Sequence, residues 1–289
     1  MILDRMTERY GGTFWRRNFA LLERLWEPTW DILPNTTTIL PLIGLGDDGQ
    51  PNATTFITRR GHANGVEATF TWQATDGGPS NWTNGNDLTS PDRWQGIVPI
   101  IDFDGVNDEA DTPDILYWSV DDSGDNGFSL GVWVNAADSA ATRDILAKWG
   151  SAVAEWRLNF NGNDSLRIAL FDESSGLQAR RDTDSAVAQG QWIFIVITYD
   201  GTGGTSAADG LTIYVDGVAV ASTATNSSYT AMENTTQVVS LAIRETAFFE
   251  GKMAGGPLGP WFATHNGAST PTAAQIKRLY NLGRAALGV

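Results

Sequence analysis

Four groups of residues in this sequence have types and spacings suited to chemistry: paired carboxylates, two histidines, an aspartate-rich turn and a set of tryptophans. Retaining glycoside hydrolysis needs two carboxyl groups about 5 Å apart. Asp102-x-Asp104 and Asp182-x-Asp184 have the two-residue spacing that puts both side chains on one strand face. Both pairs fall where strands run into turns dense in Asp and Gly, and there an aspartate's default use is to cap the turn. His62 and His265 lie far apart in loop-like sequence, and no motif completes a Ser-His-Asp arrangement around either. No catalytic residue is assigned.

The aspartate-rich turn offers a different chemistry. Asp102, Asp104, Asn107 and Asp108, with Asp111 beyond them, supply hard oxygens of the kind Ca²⁺ takes. The order is not that of an EF-hand, because Gly105 stands in the wrong place. The run reads either as a structural Ca²⁺ site or as solvated turns, and no other cofactor is expected. Of the 12 tryptophans, Trp133, Trp149, Trp156 and Trp192 lie in strand-like runs and read as packing residues. Trp72, Trp82, Trp94 and Trp118 lie in loop-like or early segments, where they are candidates for stacking on a glycan or anchoring an interface.

Composition narrows the partners. The 289 residues carry a formal net charge of -15, which disfavours nucleic acid and anionic membranes. Hydrophobic residues make up 42%, enough for a core, and there is no cysteine, so neither disulfides nor thiolate chemistry contribute. The first residues carry charges at Asp4, Arg5, Glu8 and Arg9, which a signal peptide would not tolerate, and no apolar run reaches membrane-spanning length.

The elements that must position these residues fall into three stretches. In residues 1–30, Trp15, Phe19, Leu22 and Trp26 recur at helical spacing, with Leu25 widening the stripe; Thr13 is placed to start the helix and Pro28 to end it. This aromatic face either packs on its own chain or docks onto a neighbour, and the docking reading makes Trp15, Phe19, Leu22, Leu25 and Trp26 interface residues. Residues 31–97, rich in Thr, Asn, Gly and Pro, read as an extended arm with short strand-like pieces at Thr36–Leu42 and Ala68–Trp72. From 98 to 289 the pattern is all-β, with many short strands between polar turns, as in a two-sheet antiparallel jelly-roll sandwich. Its clearest stretch is Gln191–Gly217. Ile193, Ile195 and Ile197 alternate with Trp192, Phe194 and Val196, so that strand is apolar on both faces. A second strand ends at Val215-Asp216-Gly217, a tight-turn signal. Thr270-Pro271 is read as the start of a short C-terminal helix whose apolar face is Ile276, Leu279 and Tyr280.

With these pieces placed, residues 100–282 resemble the laminin-G-like jelly roll of the concanavalin A-like lectin/glucanase superfamily. The resemblance rests on Asp102-Phe103-Asp104-Gly105, Phe128 to Val134, Ile145 to Gly150, Gly190-Gln191-Trp192 leading to Thr198-Tyr199-Asp200-Gly201, Leu211 to Gly217, and Phe249 to Met253 followed by the helix Thr272 to Tyr280. It implies two curved antiparallel sheets and says little about activity, since this fold hosts lectins, glycosidases and inert modules alike. The family's glycosidases place their carboxylates as Glu-x-Asp-x-Glu, and no such run occurs here. Its relatives often bind Ca²⁺ near the opening turn, but Met253-Ala254-Gly255-Gly256 replaces the usual acidic closing strand.

The resulting expectation is a non-enzymatic bacteriophage virion protein, a capsid decoration protein or a head or tail appendage. Such a protein is made in the host cytoplasm without a signal peptide and displayed on the virion surface. Its expected partners are a major capsid or tail protein, further copies of itself in a homo-oligomer, and a host surface glycan; nucleic acid and membrane are not expected. A carbohydrate-binding adhesion module is the alternative, and a glycan-degrading tail protein a third.

Overall fold

A computed structural model describes residues 13–42, 55–60, 65–72, 94–119, 125–137, 140–243, 248–265 and 270–289, with side chains from residue 20 onward. In chain order its strands begin with β1 (Thr38–Ile39), β2 (Thr55–Ile57), β3 (Arg59–Arg60), β4 (Thr69–Trp72) and β5 (Trp94–Gln95). Next come β6 (Val98–Asp104), β7 (Ala110–Thr112), β8 (Phe128–Ala136), β9 (Arg143–Lys148), β10 (Trp156–Phe160) and β11 (Leu166–Asp172). The last are β12 (Leu177–Thr183), β13 (Ile193–Tyr199), β14 (Leu211–Val215), β15 (Val218–Ala219), β16 (Ser222–Thr225), β17 (Val239–Leu241), β18 (Glu250–Ala254) and β19 (Trp261–Thr264). An N-terminal helix, Thr13–Trp30, and a C-terminal helix, Ala273–Leu287, flank them.

Two antiparallel sheets form a sandwich. One runs β15-β14-β13-β8-β18-β6-β5, with β19, β1 and β3 branching from β8; the other runs β16-β12-β11-β10-β9-β17-β7-β4-β2. Strand alternation explains the layering. Ile193, Ile195, Ile197 and Tyr199 of β13 point into the space between the sheets, where they meet Phe128, Leu130 and Val132 of β8. Phe194 and Val196 point the other way, into a second core that Trp26, Ile276 and Leu279 of the two helices complete. The strand is buried on both faces for that reason, as its double apolar pattern predicts. Each of its fully buried aliphatic side chains contributes roughly 1.5–3 kcal/mol.

The turn after β14 is a two-residue hairpin. Asp216 and Gly217 have φ of 51° and 76°, the left-handed pair that a twisted hairpin requires. Asp216 Oδ1 also accepts the Phe194 amide at 2.9 Å, which ties the turn back to β13. The C-terminal helix starts two residues later than Thr270-Pro271 suggests: Thr272 is the N-cap, in a reciprocal capping box with Gln275.

Two expectations for the N-terminal third are corrected. The described residues among 31–97 are not an arm: β1 pairs with β19 and β3, β2 and β4 extend the second sheet through β7, and β5 pairs with β6. Their few apolar residues are placed to fill the sandwich, with Phe56 and Phe70 stacked at 5.0 Å and buried. The N-terminal helix also runs through Pro28 to Trp30. The proline forgoes one backbone hydrogen bond near the helix end, where the Thr29 hydroxyl donates to the Leu25 carbonyl at 2.7 Å.

Candidate functional site

The outer face of the first sheet is only partly roofed by the helices. Trp133 of β8 sits on this face between Phe194, stacked at 5.0 Å, and Tyr280 of the C-terminal helix, stacked at 5.7 Å with planes 12° apart. Beyond the helix end the face opens into a groove of about 380 Å³. Asn135 forms its floor next to Trp133; Gly190, Gln191 and Trp192 form one wall, and Tyr280, Arg284 and Val289 the other. Trp192 is half-buried, because it precedes β13 on the helix-facing side but lies past the cover that buries Phe194. The Lys277 ammonium lies 4.3 Å from the Tyr280 ring centroid.

A second hollow of about 470 Å³ shares Asn135 and Gly190 and continues the groove toward Asp102, Asp104, Glu250 and Lys252. Register explains the row: Lys252 of β18 is the partner of both Asp102 on β6 and Asn135 on β8. The combined ledge offers two half-exposed aromatic rings, two side-chain amides, one guanidinium and several carboxylates. Rings present flat apolar surface, and the polar groups supply directional hydrogen bonds around it, a combination suited to a polar, ring-shaped ligand.

The aspartate turn does not fit a metal. Asp104 Oδ1 accepts the amides of Val106 at 2.8 Å and Asn107 at 3.3 Å, and Asp108 Oδ2 accepts the Asp104 amide at 2.8 Å. Asp102 points outward toward Lys252, at 3.9 Å. The oxygens of Asp102, Asp104 and Asp108 are thus spent on the turn backbone and a surface ion pair, and Asn107 contributes its backbone amide. Among the described residues no group of three His, Asp or Glu could hold a metal ion.

The tryptophans singled out in loop-like sequence are corrected. Trp72, Trp94 and Trp118 are buried at 3%, 7% and 0% exposure, packed in the sandwich with Phe103, Phe70 and Phe262 among their neighbours, so none can stack on a glycan. Trp82 lies outside the described residues. The docking stripe is corrected in the same way. Leu22 lies against Gly256, and Trp26 packs with Trp30 and under Arg59, so both are covered by their own chain; Leu25 is half-buried beside them. Trp15 and Phe19 lie in the same helix, with side chains outside the described set.

Of the catalytic candidates, Asp182 accepts Arg167 at 2.6 Å and Asn161 at 3.0 Å, and Asp184 accepts the Thr223 hydroxyl at 2.7 Å, both structural uses. His62 lies outside the described residues. His265 does meet a serine: Nε2 lies 2.9 Å from Ser129 Oγ. Both residues are buried, and Nδ1 has no partner among the described residues to orient the ring, so no triad forms among them. Burial lowers the His265 pKa to about 4 and keeps the ring neutral. One carboxylate pair escapes the search for Glu-x-Asp-x-Glu. Glu109-Ala110-Asp111 enters β7, where burial, then the charge of Asp111, raises Glu109 to about 7. The third acidic position of that motif is occupied by Pro113.

The comparisons with known proteins bear on this geometry. The concanavalin A-like lectin/glucanases superfamily, through a laminin G-type sequence profile, matches residues 103–255, more than half of the chain. The chain belongs to this family. Its fold is accordingly of the lectin and binding-domain type. No curated protein sequence matches the chain. Among solved structures, the botulinum neurotoxin serotype G binding domain is 13% identical with a TM-score of 0.52, covering 87% of this chain and 52% of that one. The serotype D/C binding domain is 12% identical with a TM-score of 0.53, covering 86% and 52%. A botulinum neurotoxin type C structure is 12% identical with a TM-score of 0.50, covering 86% and 51%; cell entry of that toxin is described as dependent on interaction with two ganglioside molecules. At such identities the likeness is one of fold, and this chain spans about half the length of those chains.

Proposed function

We propose that this chain is a non-catalytic glycan-recognition module, and that its ligand is a saccharide held between Trp192 and Tyr280 over Asn135. The observation that carries this reading is the groove at the open end of the first sheet, where two aromatic rings face amide and guanidinium side chains. Sugar rings have apolar faces that lie flat on aromatic rings and hydroxyl rims that pair with Asn, Gln, Arg and carboxylates. The lectin-type fold and the ganglioside-dependent neurotoxin among its structural neighbours support the same direction.

A virion-surface setting and self-association belong to the same proposal: an appendage of a particle would present such a groove to host glycans. The N-terminal helix is not assigned as the attachment device, because Leu22 and Trp26 are used internally. A glycan array probed with the purified chain tests the reading. Binding to a related set of saccharides supports it, and an array without hits at micromolar protein removes it.

A further inference from the structure

Lys148 ends β9, and its side chain is completely buried. Its register partner on β10 is Trp156, a residue of the sandwich core, so the lysine also points between the sheets. Two carboxylates meet its nitrogen. Glu155 Oε1 lies 2.5 Å from Nζ and is equally buried, while Asp114 Oδ1 lies 3.0 Å away with its side chain 30% exposed. Nζ also donates to the Thr235 carbonyl at 3.1 Å.

The two acids are held differently. Glu155 Oε1 accepts the Thr235 amide at 2.7 Å and hydroxyl at 2.9 Å, and Oε2 has no partner among the described residues. Burial raises the Glu155 pKa against the opposing pull of Lys148, which favours a proton on this acid. Asp114 Oδ1 touches Nζ off the hydrogen-bonding direction. A fully buried lysine nitrogen, an adjacent carboxyl carbon and a proton-carrying acid are thus fixed together, with Asp114 alone reaching solvent. Such placement replaces a bimolecular encounter with an effective molarity on the order of 10⁵–10⁸ M, and condensation would remove a buried charge pair that is costly to keep.

We propose that Lys148 and Asp114 condense to an intramolecular amide, with Glu155 relaying the proton. Protonated Glu155 gives its proton to Asp114 and takes one from Nζ, which then attacks Asp114 Cγ as the neutral amine. The N–C bond forms, one Cγ–O bond breaks, and the second proton lost by the nitrogen goes to the departing oxygen, which leaves as water. Ammonium plus carboxylate becomes neutral amide plus one water, with nothing oxidised or reduced and no co-reactant. Water leaves by the exposed side of Asp114. The link ties the segment after β7 to the end of β9, across β17, which lies between them.

The test is intact and peptide mass spectrometry of the purified full chain. The chain is expected to be lighter than its sequence by one water, about 18 Da, and to yield a branched peptide joining Lys148 to Asp114. Asp114→Ala and Glu155→Gln are expected to restore the full mass. A wild-type chain at full mass overturns the proposal even if both variants fail to fold. So does a water loss that maps elsewhere, including a Lys148–Glu155 link. Retention of the link in Glu155→Gln overturns the relay.

Discussion

Gly283 lies so close to the indole of Trp133 that a Cβ at this position would come within 2.3 Å of Nε1. The contact seats the C-terminal helix directly on β8 and lets Tyr280, one turn earlier, stack on the same indole. The groove wall is therefore set by a missing methyl group. Gly283→Ala is expected to destabilise the fold by about 1–3 kcal/mol through overpacking and to weaken saccharide binding by displacing Tyr280. Chemical denaturation checks the first effect; an unchanged midpoint would show that the helix is not seated as described.

Leu22 is 2% exposed and packs against the segment that begins at Gly256. Leu22→Ala is expected to cost about 2–5 kcal/mol, measured by urea unfolding of the isolated chain. A helix kept for docking on another protein would lose almost nothing in that measurement.

Asp125 gathers three donors. Its Oδ2 accepts the hydroxyls of Tyr199 at 2.5 Å and Tyr229 at 2.7 Å, and its Oδ1 accepts the Met232 amide at 2.7 Å. Burial first, and then the aspartate, holds both phenols well above the usual tyrosine range. Asp125→Ala strands buried donors at roughly 1–3 kcal/mol each, so a loss of several kcal/mol is expected. Absorbance titration at 295 nm should show neither phenol ionising until the wild-type chain unfolds in alkali.

Two groups set opposing pH dependences. His265 is held at about 4 against its ordinary 6.5. The unfolded chain binds the extra proton first, so stability falls as pH drops from about 6.5 to 4. Glu109 is raised from 4.5 to about 7. There the folded chain holds the extra proton, so stability falls as pH rises from about 4.5 to 7. His265→Gln should flatten the acid limb of melting temperature against pH, and Glu109→Gln should flatten the limb toward neutrality. NMR titration of His265 with a midpoint near 6.5 would contradict the first assignment.

Local features were the legible ones. The double apolar pattern of Ile193–Tyr199 and the Asp216-Gly217 turn follow from neighbours in the chain, and the structure contains both as expected. The amphipathic stripe at Leu22 and Trp26 was equally plain, but periodicity says that a face is covered, not by what. Trp94 looked loop-like because its strand is two residues long, too short to display alternation; Trp72 ends the strand-like piece Ala68–Trp72, whose alternation the structure contains, but local pattern does not say that this piece joins the sandwich. The groove was hidden because it is assembled from β8, the turn before β13 and the C-terminal helix, which meet only in the folded chain. Trp192 shares the alternation of Phe194 and Val196 and so read as core; in the structure it is half-exposed and lines the groove beside the C-terminal helix.

The most direct measurement of the glycan-recognition claim is the affinity of a saccharide identified on an array for three chains: wild type, Trp192→Ala and Trp149→Ala. Trp149 is also half-buried but sits beyond the end of β9, against Phe171 on the other sheet, and serves as the control. Loss of one stacking ring is expected to weaken binding at least about tenfold, some 1.4 kcal/mol, in Trp192→Ala while leaving Trp149→Ala at the wild-type value. Equal affinity in all three chains, or a loss confined to Trp149→Ala, would contradict the assignment of the groove.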